Sequence, residues 1–262
     1  MAPLVAAFHD WRQASKLASL CFNLALEDLR DRYRKTLLGV AWIIVSFALF
    51  VGVKVLVFGQ MVSTSQVEFG LYVTLGFGLW TFINAMVVDA CTAYMFSRAW
   101  ILGTAIPYPV FLMQAILRNS MMFALELVVM ALALFWKPTP WSPTTWLAIP
   151  GLLALLVTSV WLAAILAPLC ARYRDLHHTI KTGMQLMFFV TPILWMPTQR
   201  GSLALIAKYN PISHFIAIVR DPLMYDRIPT GSWVVVLAFN VAGLAMGLAV
   251  YAATRRRVAH WI

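Results

Sequence analysis

Catalytic chemistry needs nucleophiles, bases or metal ligands at workable spacing, and this chain offers few. Its five histidines are His9, His177, His178, His214 and His260, and none falls into HExxH or a comparable ligand spacing. Cys21, Cys91 and Cys170 are far apart in sequence with no CxxC, which argues against a zinc site or a disulfide framework. No GxSxG elbow and no GxxxxGK(S/T) loop occurs, so the chain lacks the P-loop route to ATP hydrolysis. What it offers is cationic chemistry. Arg30, Arg32, Arg34 and Lys35 crowd together directly before an apolar run, and a guanidinium binds phosphate oxygens in a bidentate manner and stays charged at an interface. Four further charges, Lys54, Asp89, Arg118 and Glu126, sit inside apolar stretches, where an ionisable group pairs within the bundle or serves a function. Similar depth suggests Arg118 with Asp89 and Lys54 with Glu126.

The elements that hold these residues follow from composition. The chain is 62% hydrophobic and 11% charged over 262 residues, too apolar for a soluble core of this size. The net charge of +10 comes from cations flanking apolar spans, not from one polar face, so it signals membrane topology and no nucleic-acid partner. A helix needs about 20 apolar residues to cross a bilayer core. Six stretches qualify: 37–60, 69–93, 110–136, 146–170, 180–196 and 233–254. They lack the alternation of a barrel strand, and Pro- and Gly-bearing connections such as 137–145 separate them. The expected fold is therefore an all-α polytopic membrane protein, a single domain over 1–262 with six transmembrane helices in 37–254.

Counting Lys and Arg sets the sidedness. With a cytoplasmic N-terminus, Arg12, Lys16, Arg30, Arg32, Arg34, Lys35, Arg98, Arg172, Arg174, Lys181, Arg255, Arg256 and Arg257 share one side. Only Lys137, Arg200, Lys208, Arg220 and Arg227 fall on the other, which predicts that both termini are cytoplasmic. The start, MAPLVAAFHDWRQ, has no basic stretch before its apolar residues and predicts no cleavable signal peptide. Over 6–35, Phe8, Trp11, Ala14, Ala18, Phe22, Ala25, Leu29 and Tyr33 recur at helical spacing, which predicts one amphipathic helix at the membrane surface. Between spans five and six, two short re-entrant helices are expected, at 202–208 and 212–224, broken at Asn210-Pro211.

Three stretches, in order, resemble one family. DLRDRYRKTLLGVAWIIVSFALFVGVKVLVFGQM resembles the opening of ABC-2 type transporter permeases, with its basic RYR run into span one. ARYRDLHHTIKTGMQLMFFVTPILWMP is similar to that family's RD-L…TPI segment, and YNPISHFIAIVRDPLM to its NP…F…R outer segment. Within the family the similarity is greatest to permeases that export lipid-linked polysaccharide such as O-antigen, capsule or teichoic acid. One departure is SRAWILGTAIPYP, where relatives often carry FPR after span two.

The resemblance implies a homodimer in the bacterial inner membrane, surrounded by membrane lipids and joined to two copies of a separate ABC ATPase. ATP and magnesium would sit on that partner, with no cofactor, metal or catalytic residue on this chain. It implies an ATPase-coupling helix over Ser97, Arg98, Ala99, Trp100, Ile101, Leu102 and Gly103, and an outer gate over 202–224 with Asn210, Pro211, Phe215 and Arg220. Arg30, Arg32, Arg34 and Lys35 would meet the pyrophosphate headgroup of the lipid-linked glycan as it enters. Aromatic faces stack on pyranose rings without many hydrogen bonds, so Trp42, Phe47, Tyr72, Phe77, Trp80, Phe188, Phe189 and Trp195 are the candidate glycan channel. The competing readings are an ABC-2 permease for a small amphiphile or drug, and a membrane-embedded lipid-modifying enzyme, which the missing acid clusters and metal ligands disfavour.

Overall fold

A computed structural model describes residues 2–60, 64–136, 142–197 and 202–262. Lys137 and Arg200, counted above for sidedness, and much of the 137–145 connection lie outside them. The described residues form helices and connections with no strand: α1 (Ala2–Lys16), α2 (Ala18–Tyr33), α3 (Trp42–Phe58), α4 (Gln66–Phe96), α5 (Arg98–Gly103), α6 (Pro109–Leu134), α7 (Ala148–Arg172), α8 (Asp175–Val190), α9 (Ser202–Tyr209), α10 (Pro211–Tyr225), α11 (Thr230–Thr254) and α12 (Val258–Trp261). Among them α3, α4, α6, α7 and α11 are long and apolar enough to cross a membrane, so the chain is a multi-pass membrane protein. At 31 residues α4 is the central post, packed against α3, α6, α7, α8 and α10.

The expected fifth span is redrawn. Helix α8 begins at Asp175 and stops at Val190, only 16 residues, because Pro192 cannot donate an N–H and forces Thr191 out of helix to ψ 137°. The outer pair fits the sequence better. Asn210 caps α10, its side-chain oxygen accepting from the Ile212 N–H at 2.9 Å, and Pro211 opens the helix. Helix α10 is buried along most of its length, whereas α9 leaves Leu203, Leu205 and Tyr209 exposed.

The single amphipathic helix over 6–35 is also corrected. It breaks at Leu17, and its buried face is Ala7, Ala14, Cys21, Ala25 and Leu29. Phe8 and Phe22 point outward, 65% and 49% exposed, because a face made mostly of small residues lets α1 and α2 lie close against α6 and α11. Asp10 anchors α1 by accepting from the Tyr251 hydroxyl at 2.9 Å and from Arg255 at 3.0 Å.

Helices α7 and α11 pack by the same logic. Gly243 and Gly247 sit under Trp161, and a Cβ at Gly243 would fall 2.4 Å from the indole ring. The ring cannot swing away freely, since its Nε1 donates to Asn240 Oδ1 at 3.0 Å, which also accepts from Thr158 at 3.0 Å. Gly243→Val therefore overpacks this seam and is expected to cost about 1–3 kcal/mol. Gly52, whose added Cβ meets nothing within 4 Å, should tolerate alanine without loss. Thermal unfolding of the two variants in one detergent checks this; equal melting points would refute the packing described.

Candidate functional site

Four clusters of charged or aromatic side chains stand out, two at the end that carries the termini, one along the helices and one at the far end. At the end that carries both termini, Arg118 of α6 donates to Asp28 of α2 at 3.1 Å and to Asp89 of α4 at 2.9 Å. Gln114, one turn earlier on α6, donates to the same Asp28 carboxylate at 2.7 Å. The Arg118–Asp89 pair matches the expectation from depth. Asp28 was missed, although it follows the buried Ala25 by three residues and precedes the buried Leu29. The usable signal was on α6, where Gln114 and Arg118 present donors at i and i+4 to a shared neighbour.

Beside this node sits α5. Ser97 and Ile101 are buried against the bundle, while Arg98, Ala99, Leu102 and Gly103 are exposed and Trp100 presents half its surface. Phe96, 79% exposed, extends this apolar patch. The cationic cluster lies on the same end. Arg30, Arg32, Arg34 and Lys35 are all exposed, with Arg34 only loosely paired to Asp31 at 3.8 Å. Lys35 takes the left-handed φ of 67°, which turns the chain out of α2 toward α3.

The aromatic candidates separate into groups. Phe47 of α3 stacks on Phe77 of α4 at 5.9 Å, and Phe188 of α8 meets Phe77 at 6.1 Å, Trp80 at 5.6 Å and Phe189 at 5.5 Å. Five of the eight thus form one ribbon across three helices. Phe47 and Trp80 are buried within it, and Phe189 is its open end. Trp42 stands apart at the start of α3. Lys54 does not meet Glu126: its ammonium lies 3.6 Å above the Phe77 ring, and Glu126 accepts from the Thr81 hydroxyl at 2.6 Å. Depth placed the two together, but α4 stands between them and supplies each with a partner.

At the far end, the irregular backbone after α8 is closed by side chains. The Pro192 carbonyl accepts from the Tyr72 hydroxyl at 2.9 Å and from Arg220 Nη1 at 2.8 Å, and Tyr72 also reaches the Trp195 carbonyl at 3.2 Å. Arg220 lies 4.0 Å above the Tyr72 ring. Asn210 donates to the Thr191 hydroxyl at 2.9 Å, and Trp195 Nε1 to the Phe189 carbonyl at 3.1 Å. Arg220 and Asp221, neighbours on α10, are both buried, at 4% and 6% exposure, and Asp221 accepts from Arg227 at 2.9 Å. Phe215 is buried too, against Phe239 of α11. The TPI and NP…R segments, distant in sequence, therefore meet in one network with Tyr72.

Comparison with known proteins finds relatives along most of the chain. The chain is 24% identical over 212 residues to an O-antigen export system permease protein RfbA of Klebsiella pneumoniae, covering 79% of this chain and 81% of the relative. It is 23% identical over 231 residues to the protein of the same name from Myxococcus xanthus, covering 87% and 88%. The chain is similar to O-antigen export permeases. No family model matches it. This similarity to O-antigen export permeases runs along most of both chains, so it spans both ends of the bundle.

The node at Arg118 can be tested without any transport assay. Arg118→Gln leaves two carboxylates facing each other in a half-buried site and is expected to cost on the order of 3 kcal/mol. The first signs should be faster hydrogen exchange and proteolysis within 18–33, while Asp28→Asn should loosen α2 less. Unchanged protection of that segment in Arg118→Gln would remove the node from the account of how α2 is held.

Proposed function

We propose that this chain is the membrane-spanning permease subunit of an ATP-driven exporter that moves lipid-linked polysaccharide, of the O-antigen, capsule or teichoic-acid type, across the bacterial inner membrane. The observation that carries the reading is the network in which Tyr72, Thr191, Pro192, Asn210 and Arg220 converge, because it unites the segments that resemble polysaccharide-export permeases. The chain acts as a homodimer with two separate ATPase subunits and is itself no enzyme. Residues 175–197 complete a sixth crossing, and α9 and α10 dip into the outer leaflet side as a gate. Both termini are cytoplasmic.

In this reading each cluster has a task. The exposed cations Arg30, Arg32, Arg34 and Lys35 take the pyrophosphate headgroup at the inner leaflet, where free guanidinium groups bind phosphate oxygens. The aromatic ribbon, open at Phe189, forms one wall of a glycan path completed by the second subunit. The exposed Trp100 and Leu102 of α5 dock into the ATPase.

Two experiments test this. In lipid nanodiscs the chain alone should hydrolyse no ATP, and hydrolysis should appear only with its ATPase. Trp100→Arg should then leave hydrolysis uncoupled from glycan export, since a docked apolar face does not accept a charge. Export that survives this change would remove α5 from the coupling role, and sustained hydrolysis by the pure chain would overturn the assignment itself.

The cationic cluster is tested by Arg30→Gln, Arg32→Gln and Arg34→Gln, singly and combined. Losing a charge-assisted phosphate contact should slow export by on the order of tenfold for the combined variant, with membrane insertion intact. Normal surface glycan in the combined variant would leave the cluster only its topological role.

A further inference from the structure

A cavity of about 540 Å³ opens at the far end between α4, the 191–197 segment, α9, α10 and α11. This is the size of a small-molecule site and far larger than an inorganic phosphate needs. Its wall contains two buried polar atoms that find no partner among the described residues, Arg220 Nε and Ser213 Oγ. Such atoms normally hold a hydrogen bond, and leaving them without one costs stability unless a ligand or water supplies it.

Charge narrows the ligand. Lys208, Arg220 and Arg227 line the cavity against one carboxylate, Asp221, which Arg227 already engages at 2.9 Å. Among the described residues Arg220 has no carboxylate partner; it rests on a carbonyl and an aromatic ring, which leave its charge uncompensated. An acyl chain would leave Ser213 and Arg220 unpaired. A bare anion would leave the exposed ring of Tyr225, at the cavity wall, unused. The cavity is also well braced, since His214 bonds the Lys208 carbonyl and the Ser232 hydroxyl, both at 2.9 Å, and so ties α9, α10 and α11 together.

We propose that this cavity is a binding site for a saccharide carrying an anionic group, a phosphate or a carboxylate, with Arg220 and Lys208 serving the charge and Tyr225 and Ser213 the sugar ring. Its place on the path of an exported glycan rests on the export reading above. Binding itself does not, and it is measured without ATPase or transport.

The test uses the full chain in nanodiscs and calorimetric titration with glucose 1-phosphate, a uronic-acid disaccharide, methyl glucoside and inorganic phosphate. At least one of the two anionic sugars should bind about tenfold more tightly than both methyl glucoside and inorganic phosphate, as one charge-assisted contact provides. Preference for the disaccharide assigns the charge to acidic sugars within a glycan, and preference for the sugar phosphate to a phosphate linkage. Equal binding of inorganic phosphate would reduce the cavity to an anion site, and equal binding of methyl glucoside would remove the role of charge; either overturns the proposal, as does no binding at all. Arg220→Gln should weaken the preferred ligand about tenfold, and Lys208→Gln, on an exposed residue, should weaken it severalfold with the fold undisturbed. Ala207→Cys at the cavity wall should react with a maleimide and be protected by that ligand. The native cysteines are buried, and burial pushes the Cys21 thiol up, which keeps the background low. Unchanged affinity in Lys208→Gln together with unprotected labelling would overturn the site, while failure of glycan export with the ATPase would instead count against the export reading.

Discussion

Ending a helix inside an apolar bundle leaves carbonyl groups that no water can satisfy, each worth several kcal/mol if left alone. Helix α8 ends at Val190, itself part-exposed, and the Thr191-Pro192-Ile193 backbone that follows runs buried in the bundle outside any helix. The Met187 carbonyl is taken by the Thr191 N–H at 2.9 Å and its hydroxyl at 2.7 Å, and the Phe189 carbonyl by Trp195. Beyond the helix, the Pro192 carbonyl takes both Tyr72 and Arg220. These bonds explain why α10 is buried while α9 is not. Arg220 can reach Pro192 only if α10 lies against α4, and Gly76 makes room, since a Cβ there would stand 3.2 Å from Arg220 Nη1. The cavity at the far end is the space left in front of that arrangement.

Much of this was legible in the sequence, and the remainder divides by physical cause. Length and apolarity placed five spans within a few residues of their ends, because those quantities are summed along the chain. The Asn210-Pro211 break was legible as local chemistry. The end of α8 was equally local, yet the apolar run through Ile193-Leu194-Trp195 hid the effect of Pro192. Azimuth was not legible. Lys54 and Glu126 share a depth, but whether two helices turn those faces toward each other depends on a third, α4. The same blindness applied to α1 and α2, where one apolar face was legible but not that its Ala14, Ala25 and Leu29 turn to the bundle while Phe8 and Phe22 turn away. Of the eight aromatic candidates, which five would join in one ribbon and which three, Trp42, Tyr72 and Trp195, would stand outside it required the packing of α8.

The arginines illustrate three different settings for one side chain. Arg118 is held between two carboxylates and a pair of helices, an arrangement that fixes α2 and cancels charge. Arg30, Arg32 and Arg34 remain exposed, Arg32 with one contact to the Met122 sulfur and Arg34 loosely paired with Asp31, so most of their donors face outward. Arg220 is buried like Arg118 but keeps its charge uncancelled, because its partners among the described residues are a carbonyl and a ring. Positive potential therefore persists at both ends of the bundle, by exposure at one and by choice of partners at the other.

That contrast also fixes which side chain position 220 requires. A lysine ammonium could donate to the Pro192 carbonyl, but it is a compact, strongly hydrated point charge and would bring its desolvation cost into the bundle. A guanidinium is planar and weakly hydrated, so it can lie over Tyr72 and donate in its own plane to Pro192 at once. Tyr72 in turn must present its ring to the guanidinium and its hydroxyl to two carbonyls, which a phenylalanine could do only by half. The break after α8, the tyrosine on α4 and the arginine on α10 are therefore mutually determined: each supplies the partner that makes burial of the other two affordable in an apolar surrounding.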